Sequence, residues 1–225
     1  MSYLKIIQEL RNKTNEVILF HSGTGKDSIM LLDLLSNNFD FVHCIFMYIV
    51  KDLYYENKYI QYAEKKYSNI NFIKTPHYCL NSFIKNGYLG ISKDTKIKKN
   101  TISKIDEKYR LLLNLNYSVY GFKKIDGITR RFMLNDTFNG INLKSNKCYP
   151  LMDLKNKDVL RYINENNLIN PFNYGTLKPS SGCDISTPEF LFYLKNKYPN
   201  DFEKIIDTFP HCEFKLFNYE QSKTI

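Results

Sequence analysis

Tryptophan is absent from the 225 residues, while tyrosine (18) and phenylalanine (16) are plentiful and lysine and asparagine abound. That bias matches the codon usage of an AT-rich genome rather than a demand of the fold. Long hydrophobic runs are also missing. The longest, such as residues 41–50, falls well short of the roughly 20 apolar residues that span a bilayer, so a membrane-spanning helix is excluded. Acidic residues are in the minority, 23 against 32 basic ones, for a formal charge of +9. The excess favours anionic partners and leaves nucleotides, RNA, DNA and acidic lipid surfaces equally open. Cysteine pairs are missing: the five cysteines (Cys44, Cys79, Cys148, Cys183, Cys212) are odd in number and scattered. The first residues show no positive segment leading into a long apolar stretch and a small-residue cleavage site. Together these two absences lead us to expect a reduced, cytoplasmic protein.

The composition that is there, 43% hydrophobic and 24% charged, is that of an ordinary globular chain, so neither disorder nor a membrane protein is indicated. The length suits one domain with a sizeable core, or one domain and a short appendage. No repeat of 20 to 50 residues is visible and no low-complexity linker divides the chain. Residues 1–13 carry Leu4, Ile6, Ile7 and Leu10 at helical spacing, and residues 16–21 read as a short buried strand. A glycine turn follows, then a segment (28–35) too densely apolar to face solvent, as expected of a helix packed on a sheet. Residues 41–48 and 70–74 read as further strands, with a helix over 55–67 between them. A lysine-rich stretch (Lys93, Lys96, Lys98, Lys99, Lys104, Lys108) reads as a solvated loop running into a helix that ends near residue 113. A fourth strand is expected at 118–122, helices at 155–166 and 187–197, and a short tail after that. Strands alternating with helices call for a parallel sheet, whose ligands bind outside the strand C-termini.

The segment with the most chemistry is His21-Ser22-Gly23-Thr24-Gly25-Lys26-Asp27-Ser28, set between the first strand and the dense apolar helix. A Walker A loop would need Gly at Phe20 and Ser or Thr at Asp27, so it fails. The dinucleotide fingerprint would accept Ser28 as its third small residue but finds no ribose-binding acid within residues 46–50. What the residues do provide is an anion cradle. Two glycines let the backbone approach closely, N–H groups at a helix N-terminus supply positive potential, and Ser22 and Ser28 add hydroxyl donors. Lys26 brings a cation, whereas Asp27 would repel a bare phosphate unless a divalent metal lay between them.

The segment resembles the PP-loop of the adenine-nucleotide α-hydrolase superfamily, whose usual form is Ser-Gly-Gly-x-Asp-Ser after the first strand. The lysine of Lys26-Asp27-Ser28 is similar to that of the phosphoadenosine phosphosulfate (PAPS) reductase-like branch, although the loop here is one residue longer. Gly121-Phe-Lys-Lys-Ile-Asp-Gly-Ile-Thr-Arg130 resembles the branch's Gly-x-Arg-x-x-Glu-Ser-x-x-Arg, with Lys123 for the first Arg, Asp126 for Glu and Gly127 for Ser. Tyr149-Pro-Leu-Met-Asp-Leu-Lys-Asn-Lys-Asp-Val-Leu-Arg-Tyr-Ile163 resembles Pro-Leu-x-Asp-Trp-x-x-x-Asp-Val-x-x-Tyr-Ile, with Leu154 for Trp. The likeness continues through Asn170-Pro-Phe-Asn-Tyr-Gly175 and covers about two-thirds of the chain.

The resemblance implies an α/β, adenine-nucleotide α-hydrolase-like (Rossmann-like) sandwich with a mostly parallel sheet and helices on both faces. Residues 1–170 would form the nucleotide-binding domain, and residues 171–225 a C-terminal loop and helical extension of it. It implies further that Ser22, Gly23, Thr24, Gly25, Lys26, Asp27 and Ser28 bind ATP, with Mg²⁺ at or near Asp27. Lys26, Asp27, Lys123 and Arg130 would be the catalytic set, acting on charge that develops as ATP is cleaved at the α-phosphate. An acceptor would thereby be adenylylated and pyrophosphate released, in nucleic-acid modification of tRNA or DNA, or in sulfur transfer. Ser181-Gly-Cys-Asp-Ile-Ser-Thr187 resembles a segment in which some members use a cysteine pair to hold an iron–sulfur cluster. Here Ser186 replaces the second cysteine, so no cluster is expected, and Cys183 is left with a redox or sulfur-carrying role. The branch's C-terminal Glu-Cys-Gly-x-His is not matched by His211-Cys212-Glu213. Two alternatives therefore stand: a divergent reductase of PAPS or adenosine phosphosulfate, and a nucleotide-binding subunit of a modification complex without turnover of its own. A homo-oligomer is compatible with all three.

Overall fold

A computed structural model describes residues 2–20, 23–171 and 184–223. Six strands form one sheet in the order β3-β2-β1-β4-β6-β5. The strands are β1 (Glu16–Phe20), β2 (Phe41–Tyr48), β3 (Ile70–Pro76), β4 (Ser118–Tyr120), β5 (Ile141–Asn142) and β6 (Lys147–Cys148). All neighbouring pairs are parallel except β5 with β6. The fold is thus the mostly parallel α/β sandwich expected. In β1, Val17, Ile18, Leu19 and Phe20 are all buried. Successive strand residues point to opposite faces, so both faces of the sheet centre are covered, which is why this strand is a continuous apolar run rather than an alternating one.

Ten helices accompany the strands among the described residues. Before β1, α1 (Tyr3–Arg11) buries Ile6, Ile7 and Leu10 on one face. After β1, α2 (Lys26–Ser36) buries Ile29, Met30, Leu31, Leu32, Leu34 and Leu35. Each such side chain contributes on the order of 1.5–3 kcal/mol, so α2 is held by packing. β2 and β3 are connected by α3 (Tyr54–Lys66), and β3 is followed by α4 (Leu80–Asn86) and α5 (Ile102–Leu113). The Thr101 side chain caps α5 by accepting from Lys104 N. All six lysines of the 93–108 stretch are exposed. α6 (Ile128–Asn135) and α7 (Asn156–Glu165) flank the last two strands.

α8 (Pro188–Lys197) forms where a helix was expected, but after it the chain departs from the expected short tail and forms α9 (Pro199–Thr208) and α10 (His211–Lys223). Ile205, Phe209, Cys212 and Leu216 recur at helical spacing and are all buried. With Phe190, Leu191 and Leu194 they make a second apolar core that takes in Val50, Leu53 and Tyr55 from the start of α3. A carboxylate completes this junction: Tyr54 N donates to Asp201 Oδ1 (2.8 Å) and Tyr55 N to Asp201 Oδ2 (2.9 Å). A residue of α9 therefore caps α3, where the local sequence supplies only Leu53 as N-cap.

Candidate active site

β1 is flanked by β2 on one side and β4 on the other, so the crossovers reverse direction between β1 and β4. In open α/β sheets such a switch point leaves a crevice beyond the strand C-termini. The described chain resumes there at Gly23, with Gly25 as the extended N-cap of α2. Gly23, Thr24, Gly25 and Ser28 line a cavity of about 570 Å³. Its other walls mix apolar and aromatic side chains (Phe46 and Met47 from the end of β2, Tyr78 after β3, Ile185 and Phe190 from the C-terminal region) with the acids Glu56 and Asp184. A polar turn beside apolar and aromatic side chains suits a ligand that carries both an anionic and an aromatic group. Among the described residues, its chain neighbours aside, a Cβ built at Gly23 would meet nothing within 4 Å, so they leave the space over the turn open to a ligand.

The charged residues form a chain behind the turn. Lys26 Nζ lies 3.2 Å from Asp27 Oδ2, and Lys123 Nζ lies 2.6 Å from Asp27 Oδ1. Lys123 Nζ is also 3.2 Å from Asp126 Oδ1, and the Lys123 backbone N donates to Asp126 Oδ2 at 2.9 Å. The Lys123 side chain is 0% exposed. Gly121, just after β4, packs beside Asp27: a Cβ there would stand 3.4 Å from Asp27 Cβ, in ordinary van der Waals contact. Lys26, Asp27 and Lys123 are thus brought together, with Lys123 shut away from the cavity. Arg130 stands apart from them, its guanidinium carbon 3.3 Å over the Phe122 ring. Its charge opposes the upward shift that burial imposes on Tyr78 and Tyr149. Ser22 and Cys183 lie outside the described residues.

Two cavity residues were not singled out for this site from sequence. His77 accepts from Cys79 N through Nδ1 (3.2 Å), and burial lowers its pKa to about 4, so it is neutral at pH 7. Cys79 is a half-buried thiol in the wall. Proximity to the turn in space was the missing signal; nothing in the spacing of His-x-Cys shows it. Cys212 is a core residue: it is fully buried, its thiol contacts Ile185 O at 3.3 Å, and burial pushes its pKa up to about 11. Such a thiol is a poor nucleophile.

Asp27 does not fit a resident Mg²⁺. Both of its oxygens face ammonium groups, and the inner one is buried. Mg²⁺ in nucleotide sites is held largely by phosphate oxygens and water, and would enter here as part of the substrate.

A mostly parallel sheet with a glycine turn opening at its switch point is an adenine-nucleotide α-hydrolase-like α/β fold. The chain belongs to the phosphoadenosine phosphosulfate reductase domain family, whose profile matches residues 17–185. Comparison with curated proteins gives no match. Among solved structures, the chain is similar to the U34-tRNA thiolase NcsA from Methanococcus maripaludis with its [4Fe-4S] cluster, at 15% identity and a TM-score of 0.46, over 92% of this chain and 78% of that one. It is also similar to the NH3-dependent NAD synthetase from Campylobacter jejuni in complex with nitrate, at 12% identity and a TM-score of 0.46, over 96% of each chain. The NcsA structure corrects the expectation that no iron–sulfur cluster is bound: that protein carries one. Adjacent cysteines are not a requirement, because thiolate ligands have to meet in space and can come from separate loops. Among the described residues no group of three or more His, Cys, Asp or Glu could hold a metal ion, and no helix is long and apolar enough to cross a membrane.

Proposed function

We propose that the protein binds ATP with the triphosphate in the Gly23–Gly25 turn and the adenine against the apolar and aromatic side chains, and that it adenylylates an acceptor. An acceptor oxygen attacks the α-phosphorus, the bond to the bridging oxygen breaks, and pyrophosphate leaves. The open space over Gly23, at the mouth of an amphipathic cavity, carries this reading. The N–H groups at the start of α2 point positive potential at the phosphates, and Lys26 adds a cation. Arg130, from α6, supplies a second positive charge on the β4 side. Fixed donors of this kind stabilise charge as it develops on the leaving pyrophosphate. The acceptor is a base in tRNA or DNA, or a sulfur-transfer partner, and the exposed lysines of residues 93–108 supply a surface for nucleic acid.

The test is release of pyrophosphate from MgATP against a panel of RNA and DNA acceptors. Release that depends on one acceptor supports the reading. ATP binding without release from any acceptor points instead to a nucleotide-binding subunit. A second reading is favoured by the family's own reductase and by Cys79 in the cavity wall: a reductase of PAPS or adenosine phosphosulfate. It predicts tighter binding of those nucleotides than of ATP, and thioredoxin-dependent sulfite formation that Cys79→Ser or Cys183→Ser abolishes.

A further inference from the structure

Asp27 presents a physical problem: a carboxylate in the first turn of the helix whose N-terminus forms an anion cradle. It should repel phosphate, and the arrangement of its oxygens leaves no inner-sphere place for a resident dication. Lys123 supplies the resolution. Its ammonium is fully buried between Asp27 Oδ1 (2.6 Å) and Asp126 Oδ1 (3.2 Å), and Asp126 also accepts from the Lys123 backbone N. A charged side chain is almost never fully buried unless paired, so this placement is held by the two acids around it. Gly121, two residues before Lys123, lies against Asp27: a Cβ there would stand 3.4 Å from Asp27 Cβ.

We propose that Lys123 is a positioning residue: it neutralises and fixes Asp27 so that the turn accepts phosphate without a metal ion, and it does not itself touch the phosphates. This rests on the reading that phosphate occupies the Gly23–Gly25 turn. The network Lys26–Asp27–Lys123–Asp126 contains two cations and two anions, so it places no net negative charge behind the cradle. Removing Lys123 alone leaves Asp27 and Asp126 opposed by Lys26 only. Removing the Asp27 and Lys123 charges together restores the balance.

The test is a double-mutant cycle read by calorimetric titration of inorganic pyrophosphate in EDTA, with ATP titrated in parallel. Wild type should bind pyrophosphate without Mg²⁺. Lys123→Met should weaken binding by about tenfold or more, the consequence of an uncompensated buried carboxylate. Adding Asp27→Asn to Lys123→Met should recover the affinity to within about threefold of wild type, since a neutral pair replaces an ion pair at little cost. If Lys123→Met alone does not fold, the double variant is compared with Asp27→Asn. The two should agree within about threefold if Lys123 makes no phosphate contact, and the double variant should be about tenfold weaker if it does. Failure of the double variant to recover, or a strict Mg²⁺ requirement in wild type, overturns the proposal. Loss of ATP binding with pyrophosphate binding and rescue intact would overturn the proposed function and leave this inference standing. Absence of any pyrophosphate binding by wild type would overturn both.

Discussion

Strand β4 carries a buried ionic cluster at each end, and the two differ in what surrounds them. At its N-terminal end Asp106, 0% exposed, contacts the Ser118 hydroxyl and lies 3.6 Å from both Arg110 Nε and Lys147 Nζ. Burial, with the Asp106 charge beside it, pushes the Tyr120 phenol well above its usual range. At the C-terminal end Lys123 sits between Asp27 and Asp126, directly behind the turn that lines the cavity. Both clusters bury a charge among partners. Only the second stands at the strand C-termini, where a parallel sheet opens to ligands. Perturbed or buried ionisable groups therefore identify a site only in combination with topology. The Asp106 cluster ties α5 to the sheet, and the Lys123 cluster serves the crevice.

The comparison is broken most severely by removing an acid from the structural cluster. Asp106→Ala leaves Arg110 and Lys147 without their buried partner and should destabilise the fold by about 3–5 kcal/mol in chemical denaturation, with nucleotide affinity of the remaining folded protein unchanged. A stability loss under about 1 kcal/mol would show that the cluster is not a tie. Asp201→Ala removes the carboxylate that caps α3 from α9 and should cost about 1–3 kcal/mol. It should also raise protease sensitivity in residues 184–223, because the second core loses its polar anchor.

An effect confined to acid pH is expected from His77, in the cavity wall. Its folded-state pKa is about 4 against an ordinary 6.5, so the unfolded chain takes up this proton first as the pH falls. Its contribution to stability is fully present above pH 6.5 and is lost progressively as the pH falls from about 6.5 to about 4. His77→Gln should flatten that part of the stability profile. An unchanged profile would place the imidazole in a better solvated setting than the one described.

The two regions were unequally legible from the sequence. The C-terminal side of the sheet was readable because its signals are local: an apolar strand, two glycines and a helix N-terminus follow one another within residues 16–36, and β2 runs over Phe41–Tyr48 as its apolar pattern indicates. What escaped was long-range. Lys123 reads from sequence as a phosphate ligand, by its place in a family-like segment. In the fold its ammonium instead lies fully buried between Asp27 and Asp126. The cap on α3 comes from a residue 147 positions later, which no local window can see. The helices after residue 198 were a different case: their apolar spacing (Ile205, Phe209, Cys212, Leu216) is present in the sequence, and Pro199 stands at a helix start, where proline is well tolerated.

The central claim is that the space over Gly23 is where a nucleotide's phosphates lie, and Gly23→Ala tests it most directly. Its chain neighbours aside, the added methyl meets no atom of the described residues within 4 Å, so the thermal midpoint should not move. The same methyl would occupy the cradle and should weaken ATP binding by about tenfold, or roughly 1.4 kcal/mol. Unchanged ATP affinity in a variant of unchanged stability would contradict the account.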